Sequence, residues 1–191
     1  ALPISLYYYD RAGNLVRTIP PKGVDVDADR DDRTEHPSHT FDTYYKYNSL
    51  GQLVEKKSPD ETASTDMYYN KLGQLRYSQD GRQKDYSPEK RYSYTIYDDL
   101  GRIIETGEAH EPVGQSITSE TFTYWAEQNT TSYPANSDKV MYIKTIYSSS
   151  FTNMPVPYSN LKQRFLQNRV SYTIRDADGQ DASTYDQTTT I

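Results

Sequence analysis

Asp25, Asp27 and Asp29 alternate with Val26 and Ala28 and are followed by Asp31 and Asp32. Carboxylates at every second position are how a calcium loop begins, because they can turn several oxygen ligands toward one cation. Such a loop needs Gly at its sixth position and Glu at its twelfth; counted from Asp25, these positions hold Arg30 and His36. Arg30 and Arg33 also dilute the charge. The run therefore reads first as a solvated acidic insertion, with Asp25, Asp27 and Asp29 as the weaker metal-ligating alternative. His36 and His39 form His-x-x-His, a spacing that offers two zinc ligands from one helix. Pro37 inside it argues for an extended loop, and no third ligand is near in sequence.

Glu55, Asp98, Asp99 and Glu105 could act in pairs on a glycosidic bond if folding set them at the right separation. Nothing in their spacing requires it, and turn capping accounts for Asp98. The chain has no Gly-x-Ser-x-Gly elbow, no phosphate-cradling Gly loop and no dinucleotide fingerprint. No catalytic residue and no cofactor is expected. Tyrosine supplies 20 residues and tryptophan one, Trp125. Such rings can stack on sugars, but most of these tyrosines follow a repeat register that points to sheet building. Asn129-Thr130-Thr131 is a formal glycosylation sequon.

Composition narrows the classes further. There is no cysteine, so neither disulfides nor a Cys-based metal site is available. A net charge of −6 without any Lys/Arg run disfavours nucleic acid. No apolar stretch approaches the roughly 20 residues of a membrane-spanning helix, and no signal peptide is visible. The opening Ala1-Leu2-Pro3 leads almost at once into a Tyr-rich strand, which reads as a cut within a longer sequence. Hydrophobic residues make up 34% of the chain. With Tyr in place of Leu, that implies thin, partly wet sheets rather than a thick apolar core.

One pattern recurs: aromatic, Asp or Asn, two residues, Gly, one residue, Leu or Ile. It occurs with Tyr9, Asp10, Gly13 and Leu15; with Tyr47, Asn48, Gly51 and Leu53; with Tyr69, Asn70, Gly73 and Leu75; and with Tyr97, Asp98, Gly101 and Ile103. Asp or Asn at a turn's first position accepts hydrogen bonds from N–H groups two residues on, and Gly supplies the positive φ. The tetrapeptide thus reads as a type I turn closed by a left-handed Gly, a common hairpin loop. Its arithmetic sets each aromatic opposite its Leu or Ile, a cross-strand pair about 0.2–1 kcal/mol better than Ala–Ala. A degenerate fifth copy at 175–181 would place Arg175 opposite Asp181 as an ion pair; a two-residue Asp178-Gly179 hairpin is the alternative.

Strands are expected at 91–97, with Tyr92, Tyr94 and Ile96 on one face, and at 120–125, 140–147, 169–174 and 184–191. Ser159 would cap one short helix near 160–167. The organisation expected is repeat hairpins over 1–107 with an acidic loop at 25–39, an irregular insertion over 108–168, and a return to hairpin strands over 169–191. The fold class is all-β.

These residues resemble the RHS or YD-repeat family, over the spans 7–24, 44–56 and 92–108 most closely, with the 169–173 strand also similar. Membership implies antiparallel hairpins that spiral into a shell, which in secreted bacterial toxins holds a C-terminal effector. The partners implied are the rest of the same polypeptide, its enclosed effector, and export machinery that carries it as substrate; the location implied is secreted or bacterial cell surface. Family members with an aspartyl self-cleavage motif begin it with Asp-Pro, a dipeptide this chain lacks. The function expected is therefore wall building without catalysis. A cell-surface adhesin or glycan-binding repeat is the alternative, with a glycosidase third.

Overall fold

The computed structural model describes residues 4–25, 37–128, 132–150, 164, 166–177 and 187–190. They belong to two compact units, Ala1–Tyr68 with Gln79–Asp85, and Tyr69–Ser78 with Tyr86–Ile191. The class is all-β. In each unit the strands follow one another across the sheet in chain order, with antiparallel pairing.

The first unit contains β1 (Leu6–Tyr9), β2 (Leu15–Ile19), β3 (Thr43–Tyr47), β4 (Leu53–Lys57) and β5 (Thr65–Tyr69), with a short helix, α1 (Gly81–Asp85). Its aromatic and β-branched residues suit a pleated, half-buried surface, and among its described hydrophobic residues only Ile19 is fully buried. A 3₁₀ turn at Pro21–Gly23 follows β2. Gly23 lies so close to Thr40 that a Cβ would sit 1.9 Å from the Thr40 carbonyl oxygen. The Thr40 N–H donates to the Gly23 carbonyl at 2.9 Å. Helix α1 was not foreseen in the sequence, where Asp80-Gly81 at its start is a turn signal. Asp80 and Gln83 cap it reciprocally: Gln83 N–H donates to Asp80 Oδ1 at 2.8 Å, and Asp80 N–H to Gln83 Oε1 at 3.1 Å. Lys84 then fastens it to the Ser64 carbonyl at 2.6 Å and to Asp66 at 2.7 Å.

The second unit contains β6 (Leu75–Gln79), β7 (Arg91–Tyr97), β8 (Ile103–His110), α2 (Ser119–Gln128), β9 (Lys139–Tyr147), β10 (Val170–Asp176) and β11 (Gln187–Thr190). Burial alternates strictly along β7, with Tyr92, Tyr94 and Ile96 inside. Opposite these rings β8 places Ala109 and Gly107. Small residues there leave room for tyrosines, and a Cβ at Gly107 would lie 2.2 Å from the Met141 carbonyl oxygen on β9. The core is a ring cluster. Tyr77, Tyr92, Phe122 and Trp125 meet at centroid distances of 5.1–6.2 Å, mostly edge-on or tilted.

Two expectations are corrected. Residues 120–125 are not a strand but part of α2. The β-branched and aromatic composition of Thr121–Thr123–Trp125 suggested a strand, but the apolar spacing Phe122, Trp125, Ala126 is i, i+3, i+4, and these three are the buried face. The Thr118 carbonyl opens the helix by accepting the Phe122 N–H at 3.0 Å. Second, Arg175 pairs with Gln187, not Asp181. The connection is therefore longer than either the degenerate tetrapeptide turn or the two-residue hairpin. At the positions that set the tight register in the other copies the sequence has Arg175 and Asp181 in place of an aromatic and an aliphatic residue. Residues 178–186, the sequon at 129–131 and most of the helix expected near 160–167 lie outside the described residues.

Candidate functional site

The repeated motif is the densest concentration of recurring geometry in the chain. In all four copies the Asp or Asn N–H donates to the carbonyl four residues on, and the Gly N–H donates back: Asp10, Asn48, Asn70 and Asp98 show the pair at 2.9–3.2 Å. The side chain adds two more acceptor contacts. Asp98 Oδ1 takes the N–H groups of Leu100 and Arg102 at 3.0 and 2.9 Å, and Asn48 and Asn70 do the same with their Oδ1 atoms. Gly13, Gly51, Gly73 and Gly101 all have φ between +75° and +87°. The register is Tyr9↔Leu15, Tyr47↔Leu53 and Tyr97↔Ile103. Immediately after each of these pairs the register slips by one residue, at Val16, Val54 and Ile104, a bulge that adds twist and resets which face follows.

Gly51 isolates the cost of the positive φ, because nothing lies within 4 Å of a Cβ built on it. Gly51→Ala should lower stability by about 1–2 kcal/mol, and Gly51→Asn by less, measured by urea denaturation. Equal stability of all three would remove the left-handed requirement.

The carboxylate copies differ from the amide copies in pH response. Asp10 is held below the ordinary 3.8 by the Asn14 side-chain amide and then the Asn14 N–H. At Asp98 partial removal from water acts upward, but the Arg102 and Leu100 N–H groups and the Arg102 guanidinium outweigh it. A lowered folded-state pKa means that the stabilisation is complete above about 3.8 and fades as pH falls through the lower folded value. In an acid titration followed by NMR, the Leu100 and Arg102 amides should therefore shift while those of Leu50 and Gln52, served by Asn48, stay still. Parallel shifts in both turns would contradict this.

Two tyrosines of the second unit link successive hairpins. Tyr97 O–H donates to the Leu75 carbonyl and Tyr147 O–H to the Ile103 carbonyl, each at 3.0 Å. In both, a motif-position ring reaches the carbonyl of the preceding copy's Leu or Ile. Tyr147 belongs to no copy visible in the sequence, yet its surroundings match one. Tyr147 pairs with Val170, the register slips at Ser171, and the Ser148 N–H donates to the Arg169 carbonyl at 3.2 Å. The described residues of a fifth copy are therefore Tyr147, Ser148, Arg169, Val170 and Ser171, in the places of Tyr97, Asp98, Arg102, Ile103 and Ile104 of the fourth. No sequence signal exposed it, because Asp and Gly are gone. The guanidinium of Arg102 lies 4.2 Å from the Tyr147 ring centroid and is tied to Asp98.

The inward face of the second unit carries ionisable groups. Glu105 accepts the Tyr94 O–H at 2.9 Å and forms an ion pair with Lys139, whose ammonium lies 5.2 Å from the Tyr142 ring centroid. Both side chains are more than nine-tenths buried. Burial first, then the Glu105 charge, pushes the Tyr94 hydroxyl far upward; Tyr92 is pushed up by burial and by Tyr77, Asp138 and Glu111. Hydroxyls so placed keep their protons, and that of Tyr94 serves as a donor to Glu105.

The remaining candidates are dispersed. The Asp25 carboxylate takes the Ser38 N–H at 2.9 Å, and the Asp25 N–H donates to His39 Nδ1 at 3.0 Å. Together these clamp the two ends of the acidic segment, and they put the proton of neutral His39 on Nε2. Asp27, Asp29 and His36 lie outside the described residues. Among the described residues no group of three or more His, Asp or Glu side chains could hold a metal. Glu55 pairs with Lys46 at 2.8 Å, and Asp99 is exposed at its turn. No family model matches this chain, and no curated protein matches it either.

Proposed function

We propose that this chain is a structural wall segment of a large exported protein of the RHS/YD-repeat type, building a β-shell that encloses or presents a C-terminal effector. The observation that carries the reading is the tyrosine rung. Its ring occupies the motif position of one hairpin, and its hydroxyl is spent on the backbone of the hairpin before it. A ring whose hydroxyl ties one copy to the copy before it helps a sheet to propagate. Tyr94 and Glu105, a buried hydroxyl and acid, are likewise committed to each other and to Lys139. On this reading the partners are the rest of the same polypeptide and its effector, with export machinery handling the whole as substrate, and the location is secreted or bacterial cell surface.

Protease protection of the complete polypeptide tests it. Its C-terminal region should resist trypsin, and Tyr97→Phe with Tyr147→Phe, each removing about 0.5–1.5 kcal/mol of hydrogen bonding, should speed its digestion. Equal digestion of the two forms would overturn the wall role. The adhesin reading keeps one specific observation in its favour, an aromatic groove on the first unit.

A further inference from the structure

The groove has a volume of about 520 Å³, within the range of small-ligand sites. One row of cross-strand neighbours runs along it. Tyr8 pairs with Arg17, Arg17 with Tyr44, and Tyr44 with Lys57, so four successive strands contribute alternate rings and cations to one face. Tyr8 and Tyr44 remain 38% and 47% exposed. The Arg17 guanidinium lies 5.3 and 5.5 Å from their centroids. Asp42 fixes this set from one side: its Oδ2 accepts from Arg17 Nε, Arg17 Nη2 and the Tyr44 hydroxyl, the last at 2.7 Å. Side chains held in this way lose little freedom on binding.

The cations of the groove are not equivalent. Arg17 is matched by Asp42 and Lys46 by Glu55. Lys57 pairs with no carboxylate among the described residues; its ammonium makes a 3.4 Å contact with the Thr62 carbonyl. Among the described residues the wall of the groove thus offers ring faces, one carboxylate, Glu55, as an acceptor, and one ammonium beside Tyr44 without a carboxylate partner. We infer that the first unit holds a subsite for a carboxylate-bearing sugar, a uronic acid residue of an oligosaccharide, with the sugar ring on Tyr44 and its carboxylate at Lys57. A single free cation suits one carboxylate and does not suit the dense charge of a nucleic acid. The subsite does not depend on the wall role: protection of the effector can fail while the groove still binds.

The test is an NMR titration of the whole 191-residue chain with trigalacturonate, with maltotriose and with sodium acetate. Saturable shifts at the Tyr8, Tyr44 and Lys57 amides are expected with trigalacturonate alone. Lys57→Met should weaken binding about tenfold, and so should Tyr44→Ala, while Tyr44→Phe keeps the ring and stays within about threefold. Should Tyr44→Ala fail to fold, the Lys57→Met and Tyr44→Phe pair decides. Absence of saturable shifts, equal binding of maltotriose, equal shifts with acetate, or unchanged affinity in Lys57→Met would each overturn the assignment.

Discussion

Replacing Lys139 by Met should cost the protein about 3–5 kcal/mol of stability, the penalty for leaving a buried charge without its partner. In the intact chain Glu105 faces Ile96 across the ladder on the inward side, with Lys139 and the Tyr94 hydroxyl as its partners. Removing the ammonium leaves one hydroxyl to stabilise a carboxylate out of water. The loss should appear as a lower midpoint in paired urea denaturation curves at pH 8. Adding Glu105→Gln should recover most of the loss at pH 8, because a neutral amide has far less to lose on burial. A single variant costing under about 1 kcal/mol, or a double variant no better than the single, would show that the pair is not buried as described.

Phe122→Ala should be comparably damaging, at about 3–5 kcal/mol. Phe122 is 1% exposed and touches Tyr77, Tyr92 and Trp125, with ring centroids 5.1–6.1 Å away. It is the residue through which α2 closes the ring cluster over β6 and β7. Trp125, stacked on Tyr133 at 4.3 Å and 10°, provides the local readout: its emission should move to the red as α2 loosens. Tyr124, on the same helix and exposed, supplies the control, and Tyr124→Ala should stay within about 0.5 kcal/mol. If the two substitutions cost the same, α2 is not held by its Phe122 face.

What could be read from the sequence divides by range. The four turns are local: Asp or Asn accepting hydrogen bonds and Gly at positive φ act within five residues, so their spacing alone locates Tyr9, Tyr47, Tyr69 and Tyr97 and their turns. The alternation of Tyr92, Tyr94 and Ile96 is also local and gives the inward face of β7. The buried ion pair is not local. Along Ile103-Ile104-Glu105 the alternation would set Ile103 and Glu105 on the same side, yet the slip at Ile104 turns Glu105 inward and leaves Ile103 44% exposed. A bulge that depends on the neighbouring strand cannot be read from a pattern of apolar residues. Helix α2 failed for a different reason. Its signal was present in the spacing of Phe122, Trp125 and Ala126, but threonines on the solvent side masked it. The groove on the first unit was illegible because Tyr8, Arg17, Tyr44 and Lys57 are far apart in the chain and meet only through three strand registers.

The copy at Tyr147 and Val170 shows that phase along the sheet is kept by the strands and not by the bend that joins them. Closing a longer connection costs only about 0.6 kcal/mol for each doubling of its length, while the ladder, the slip at Ser171 and the rung to Ile103 are all retained. The turns are thus places where foreign sequence can be spliced in without disturbing the lattice on either side. A scaffold of this kind could acquire new surface elements one bend at a time and keep its wall intact throughout.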